Sequence, residues 1–151
     1  MKQIWVKQKR IIKPSKERYW LSHLGPTQVI KKNNYNVTIL FSSRDKFNIS
    51  RIGKLDYDLK KKKIVKSPNL YLDIDKSNEN ENLGVSYPFL INKGKNKFLF
   101  YVGWSKNKLH FKNKLCFFDE KKSIRKKIKI KNKFGIGSNC LLKVGNYYYM
   151  W

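Results

Sequence analysis

Seven side chains in this 151-residue sequence carry chemistry suited to holding a hydroxylated ligand: His23, Thr27, Arg44, Asp45, Tyr87, Trp104 and Ser138. Aromatic rings pack against the apolar faces of sugars, while Arg, Asp, His, Ser and Thr bond hydroxyls in fixed directions. Each residue also has a plainer reading. Asp45 can pair with Arg44 or close the turn before Asn48. His23 alone can be a structural hydrogen-bonder, and Tyr87 and Trp104 can be core between neighbouring sheets. What favours a shared site is position, and position is set by a repeat.

Three stretches share one order of features. Gly25-Pro-Thr-Gln-Val-Ile30, Val85-Ser-Tyr-Pro-Phe-Leu90 and Gly137-Ser-Asn-Cys-Leu-Leu142 each precede a polar turn. Each turn leads into an apolar, aromatic run: Val37 to Phe41, Phe98 to Val102 and Tyr147 to Trp151. The first two copies superimpose at an offset of 60, pairing Val29 with Phe89 and Phe41 with Tyr101. Two more strands fit in each interval: Ser50 to Tyr57 with Lys62 to Lys66, then Leu115 to Phe118 with Ile124 to Ile130. The Ile128-Lys-Ile130 alternation predicts a half-buried strand, and no helical periodicity competes.

Four antiparallel strands per repeat of roughly 50 residues describe a propeller blade. The expected fold is therefore all-β, with about two and a half blades of a β-propeller. The blades fall near residues 19–75, 83–131 and 135–151. An open stack leaves unpaired edges, so the sequence is expected to be the N-terminal part of a longer propeller whose C-terminal blades are missing. In a blade, the start of the first strand and the end of the second share one rim. That rim gathers His23, Thr27, Gln28, Arg44 and Asp45 from the first unit, and Ser86, Tyr87 and Trp104 from the second. The third unit adds Ser138, Asn139 and Trp151.

Several phrases strengthen this picture: Trp20-Leu-Ser-His-Leu-Gly-Pro-Thr27, Phe41-Ser-Ser-Arg-Asp45 with Ser50-Arg-Ile-Gly53, and Gly84-Val-Ser-Tyr-Pro88. Tyr101-Val-Gly-Trp104, Gly137-Ser-Asn-Cys140 and Tyr148-Tyr-Met-Trp151 complete the set. From Tyr19 to Trp151 the chain resembles bacterial glycosyl hydrolase-like proteins of the five-bladed propeller superfamily that includes β-fructosidases, arabinanases and β-xylosidases. The resemblance implies a central sugar-binding funnel, and a link to surface polysaccharide metabolism. It also implies that Asp45 occupies an acidic position used for transition-state stabilisation. Two departures stand out. Gly25-Pro-Thr27 replaces the Asn-Asp-Pro of the fructosidase nucleophile, and Gly137-Ser-Asn139 stands where a general-acid glutamate is expected. Glu79 and Glu81 precede the second unit in what reads as a flexible polar loop. No acid–base pair can be assigned, so hydrolysis and non-catalytic sugar recognition both stay open.

Composition bounds the alternatives. Forty per cent apolar and 15% aromatic residues argue against disorder. Thirty-five basic residues against 10 acidic give a net charge of +25, which attracts anions without any specific site. The excess is mostly lysine, spread along the chain, and arginine, which reads phosphates and bases bidentately, is scarcer. Specific nucleic-acid recognition is therefore not expected, although a basic nucleic-acid or anionic-surface binder is the remaining alternative. Cys116 and Cys140 lack paired spacing, and His23 and His110 are scattered, so neither a metal nor another cofactor is expected. The lysine-interrupted N-terminus lacks a signal-peptide core, which leads to the expectation of a cytoplasmic protein.

Overall fold

The computed structural model describes residues 9–106, 111–130 and 136–150. Ten strands form it, with no helix among the described residues. The first meander comprises β1 (His23–Lys31), β2 (Asn36–Arg44), β3 (Ser50–Asp58) and β4 (Lys63–Leu72). The second comprises β5 (Gly84–Lys93), β6 (Asn96–Lys106), β7 (Phe111–Asp119) and β8 (Ile124–Lys127). Each meander is antiparallel throughout, and β9 (Leu141–Val144) with β10 (Tyr147–Met150) makes a separate hairpin. One parallel bridge, Ser50 to Gly84, joins the meanders into an open eight-stranded sheet.

Both meanders begin with the same defect. In β1 the residues Gly25 and Pro26 stand opposite Ser42 alone, and in β5 the residues Tyr87 and Pro88 stand opposite Tyr101 alone. Proline cannot donate to a ladder, so a bulge is where a strand tolerates it. The shared bulge corrects the sequence alignment: Pro26 matches Pro88, Thr27 matches Phe89, and Phe41 matches Phe100. A uniform offset misses this because the first hairpin has the longer turn, Lys32 to Tyr35, against Gly94-Lys95 in the second.

A two-residue alternation sorts β2 onto two faces. Val37, Ile39 and Phe41 pack with Trp20, Leu21 and Leu55, so the segment before β1 covers the outer face of the first meander. Trp20 stacks on Phe41, with ring centroids 6.2 Å apart. Leu40 lies on the other face, in a core with Ile52, Leu72, Val85, Leu99, Tyr101 and Cys116 that joins the two meanders. The seam is also pinned by polar groups. The Gln28 side chain accepts from Leu90 N–H at 2.6 Å and donates to Leu90 C=O at 3.1 Å. These are backbone groups that the β5–β6 ladder leaves unpaired, and burial makes leaving them unpaired costly.

Two expectations change. The half-buried strand expected through Ile130 stops at Lys127: beyond the Cys116–Lys127 pair Ile128 N–H still donates to the Leu115 carbonyl at 2.8 Å, and Ile130 is exposed. The connection holding Glu81 is no loose loop, because Glu81 is fully buried. His110 and Trp151 lie outside the described residues. Among those that are described, no helix is long and apolar enough to cross a membrane.

Candidate functional site

The even-numbered face of β2 runs along the seam and opens at both ends. At one end, a cleft of about 310 Å³ lies between the bulge of β1, the end of β2 and the bulge of β5. Its polar lining is His23, Arg44, Asn48 and the serines Ser42, Ser43, Ser50 and Ser86, with the ring-bearing Tyr87 beside them. Among the described residues, no carboxylate lines it. His23 and Arg44 sit together because they are cross-strand partners in β1 and β2. Gly84 permits the close approach of β5. A Cβ there would fall 2.5 Å from Ser50 Oγ, and its φ of +154° lies where side chains are rarely accommodated.

Tyr87 is the strained member. Its φ of 53° is left-handed, a conformation costing a bulky residue roughly 1–2 kcal/mol. Its backbone is held from both sides. Tyr87 N–H donates to Ser42 Oγ at 2.8 Å, and Asn139 Nδ2 donates to the Tyr87 carbonyl at 3.0 Å. Trp104 works one step back: its indole N–H donates to Ser86 Oγ at 2.6 Å, which orients a serine of the cleft.

Of the seven residues singled out from sequence, His23, Arg44 and Tyr87 therefore share one cleft. Trp104 touches a lining residue without lining the cleft itself. Thr27 is exposed beyond the bulge and lines a shallow neighbouring groove with Pro14 and Ile11. Ser138 is exposed, and its neighbour Asn139 makes the contact with the second meander.

Asp45 faces a different concavity, alongside Tyr19, Ser22 and Phe47. Its Oδ1 accepts from Phe47 N–H at 2.8 Å and Ile49 N–H at 2.9 Å. Its Oδ2 accepts from Arg51 Nη1 at 2.8 Å, not from Arg44. Burial by itself raises the Asp45 pKa. The Arg51 hydrogen bond, the two backbone donors and the Arg51 charge outweigh burial and lower it. Arg51 in turn donates through Nε to Asp73 Oδ1 at 2.7 Å and lies over the Tyr19 ring at 5.1 Å.

A second buried network anchors the connection between the meanders. Glu81 accepts from the Tyr101 hydroxyl and pairs with Arg125, whose Nη1 also reaches the Asp73 carbonyl at 2.9 Å. Burial, reinforced by Glu81, raises the Tyr101 pKa, and burial pushes the Cys116 thiol up to about 11.

Of the four serines lining the cleft, the repeat places Ser86 at the rim but not Ser42, Ser43 or Ser50. Ser42 and Ser43 precede Arg44, and Ser50 opens β3. Small hydroxyls on an inward-facing strand end were the available signal. No family model matches the chain, and no curated protein matches it.

Proposed function

We propose that this protein recognises a carbohydrate in the cleft at His23, Arg44 and Tyr87, and that its meanders are blades of a propeller-type fold. The observation that carries the reading is the cleft lining: hydroxyls, an imidazole, a guanidinium, an amide and one aromatic ring, with no carboxylate. Such a lining offers donors and acceptors in fixed directions, with an apolar plate for a ring face. The propeller reading is supported by two consecutive four-stranded antiparallel meanders with the same bulge, followed by a hairpin in the same sequence order.

Recognition is favoured over hydrolysis by where the carboxylates lie. Glycoside cleavage uses two carboxyl groups facing each other across the bond. Asp45, the acidic residue expected at the rim, has both oxygens committed to its own turn and to Arg51. In this reading Asp45 is a positioning residue that holds the β2–β3 turn bearing Asn48. Recognition in the cytoplasm of a glycan linked to surface-polysaccharide metabolism is part of the same proposal.

The test is a pair of assays on the whole chain: oligosaccharide binding by calorimetry, and release of chromophore from aryl glycosides. Arg44→Ala and His23→Ala are expected to weaken sugar binding about tenfold or more, as removal of a charged hydrogen bond does. No turnover is expected. Glycoside turnover that Asp45→Asn abolishes, with affinity intact, would reverse the choice between recognition and hydrolysis.

A further inference from the structure

The opposite end of the seam has a different character. There a concavity of about 420 Å³ is lined by Lys31, Lys32, Lys54, Lys66 and Lys97, with Asp56 the lone carboxylate in its wall among the described residues. These lysines come from β1, the turn after it, β3, β4 and β6, so they are not one solvated face of a single strand. The fold gathers them. Lys66 is the cross-strand partner of Asp56. Lys54 Nζ stands 4.7 Å over the Tyr71 ring. Leu40, Ile30 and Leu90 close the inner wall with apolar surface.

Two of the five charges are partly offset. Lys32 pairs with Asp56 at 2.8 Å, and Lys97 stands 3.8 Å from Glu120. Lys31, Lys54 and Lys66 add further positive charge around the same concavity. Like charges so placed repel, and a clefted geometry strengthens their field. A compact, multiply charged anion relieves that repulsion.

We infer that this lysine-lined concavity is a second ligand site, separate from the sugar cleft, for a small molecule bearing a diphosphate group. Lysine suits such a group as a set of flexible point charges. Tyr71 and the leucine wall supply a surface for an organic portion attached to it. The apolar core at Leu40, Ile52, Val85 and Leu99 separates the two sites. Ser42 and Thr38, which mark the two ends on β2, are roughly 13 Å apart at strand spacing.

The test is titration calorimetry of the whole chain with inorganic pyrophosphate at about 0.15 M salt, where diffuse attraction is screened. Saturable one-to-one binding is expected. The double variant K54Q/K97Q is expected to weaken it about tenfold, as loss of two partly exposed charge contacts predicts. A control double variant, K60Q/K61Q, removes the same charge from the exposed β3–β4 turn and is expected to leave affinity within about twofold. K31Q/K66Q provides a second probe of the cleft should K54Q/K97Q not fold. No saturable binding overturns the inference. So does an equal loss in the cleft and control variants, which would assign the attraction to overall charge, as for nucleic acid or an anionic membrane.

Discussion

The two meanders share a bulge, a strand order and a buried arginine–carboxylate pair, yet they use the pair differently. In the first, Arg51 ties Asp45 to Asp73 and so fixes the β2–β3 turn at the ends of its strands, with the Asp73 side chain still 40% exposed. In the second, Arg125 and Tyr101 close on Glu81, which is fully buried and sits in the connection that passes from one meander to the other. Gly103 leaves room for that connection, since a Cβ there would fall 2.5 Å from the Asn80 carbonyl and 3.1 Å from Glu81 Cβ. The lesson is about depth. A carboxylate at a strand end stabilises locally, whereas one beneath a crossover holds two units together.

That difference should show most strongly in Glu81→Ala. It leaves Arg125 partly buried and the Tyr101 hydroxyl buried, both without their carboxylate, a loss of roughly 3–5 kcal/mol for a broken buried pair. Urea unfolding is the measurement, and an effect below about 1 kcal/mol would remove Glu81 from its central place. Arg51→Met is expected to cost less, about 2–3 kcal/mol, because Asp45 keeps its two backbone donors. Equal losses in the two variants would erase the distinction between edge and crossover.

Acid sharpens the same contrast. Asp45 has its pKa lowered on folding, burial being outweighed by Arg51 and the backbone donors. The stability it contributes is complete above the ordinary aspartate value of 3.8 and is lost as pH falls through the lower, folded value. Arg51→Met should therefore flatten the acid limb of a stability–pH curve, while changes at Arg125 leave Asp45's share of it in place.

The smallest effect is expected at the bulge. Tyr87→Gly keeps the backbone bonds to Ser42 and Asn139 and relieves a left-handed residue. Stability should stay the same or rise by up to about 1 kcal/mol, since glycine's extra unfolded-state freedom offsets part of the gain. Sugar affinity should fall, because the ring is gone. A large loss of stability instead would make Tyr87 core rather than a ligand plate.

Much of this architecture was legible beforehand, and the failures are informative. The hairpins at 23–44 and 84–106 follow from alternating apolar runs broken by polar turns, and Pro26 and Pro88 mark the bulges. His23, Arg44 and Tyr87 meet at one cleft because strand ends carry over directly from that pattern. Glu81 reads as a loop residue because it lies between strands, and the commitment of Asp45 to its own turn and to Arg51 is invisible in the sequence. Their partners, Arg51 and Arg125, become visible only when distant segments pack. The distribution of lysines hid the basic cleft as well. Lys31, Lys54, Lys66 and Lys97 are unremarkable in the sequence and converge only where β1, β3, β4 and β6 surround one concavity.

The claim that matters most is that the seam opens at its His23 end into a sugar site. Saturation-transfer NMR of the whole chain with a panel of soluble oligosaccharides tests it directly, run with and without pyrophosphate. Transfer to at least one sugar is expected, lost in Tyr87→Gly and Arg44→Ala and unchanged by pyrophosphate. Absence of transfer to every sugar, or displacement of the bound sugar by pyrophosphate, would contradict it.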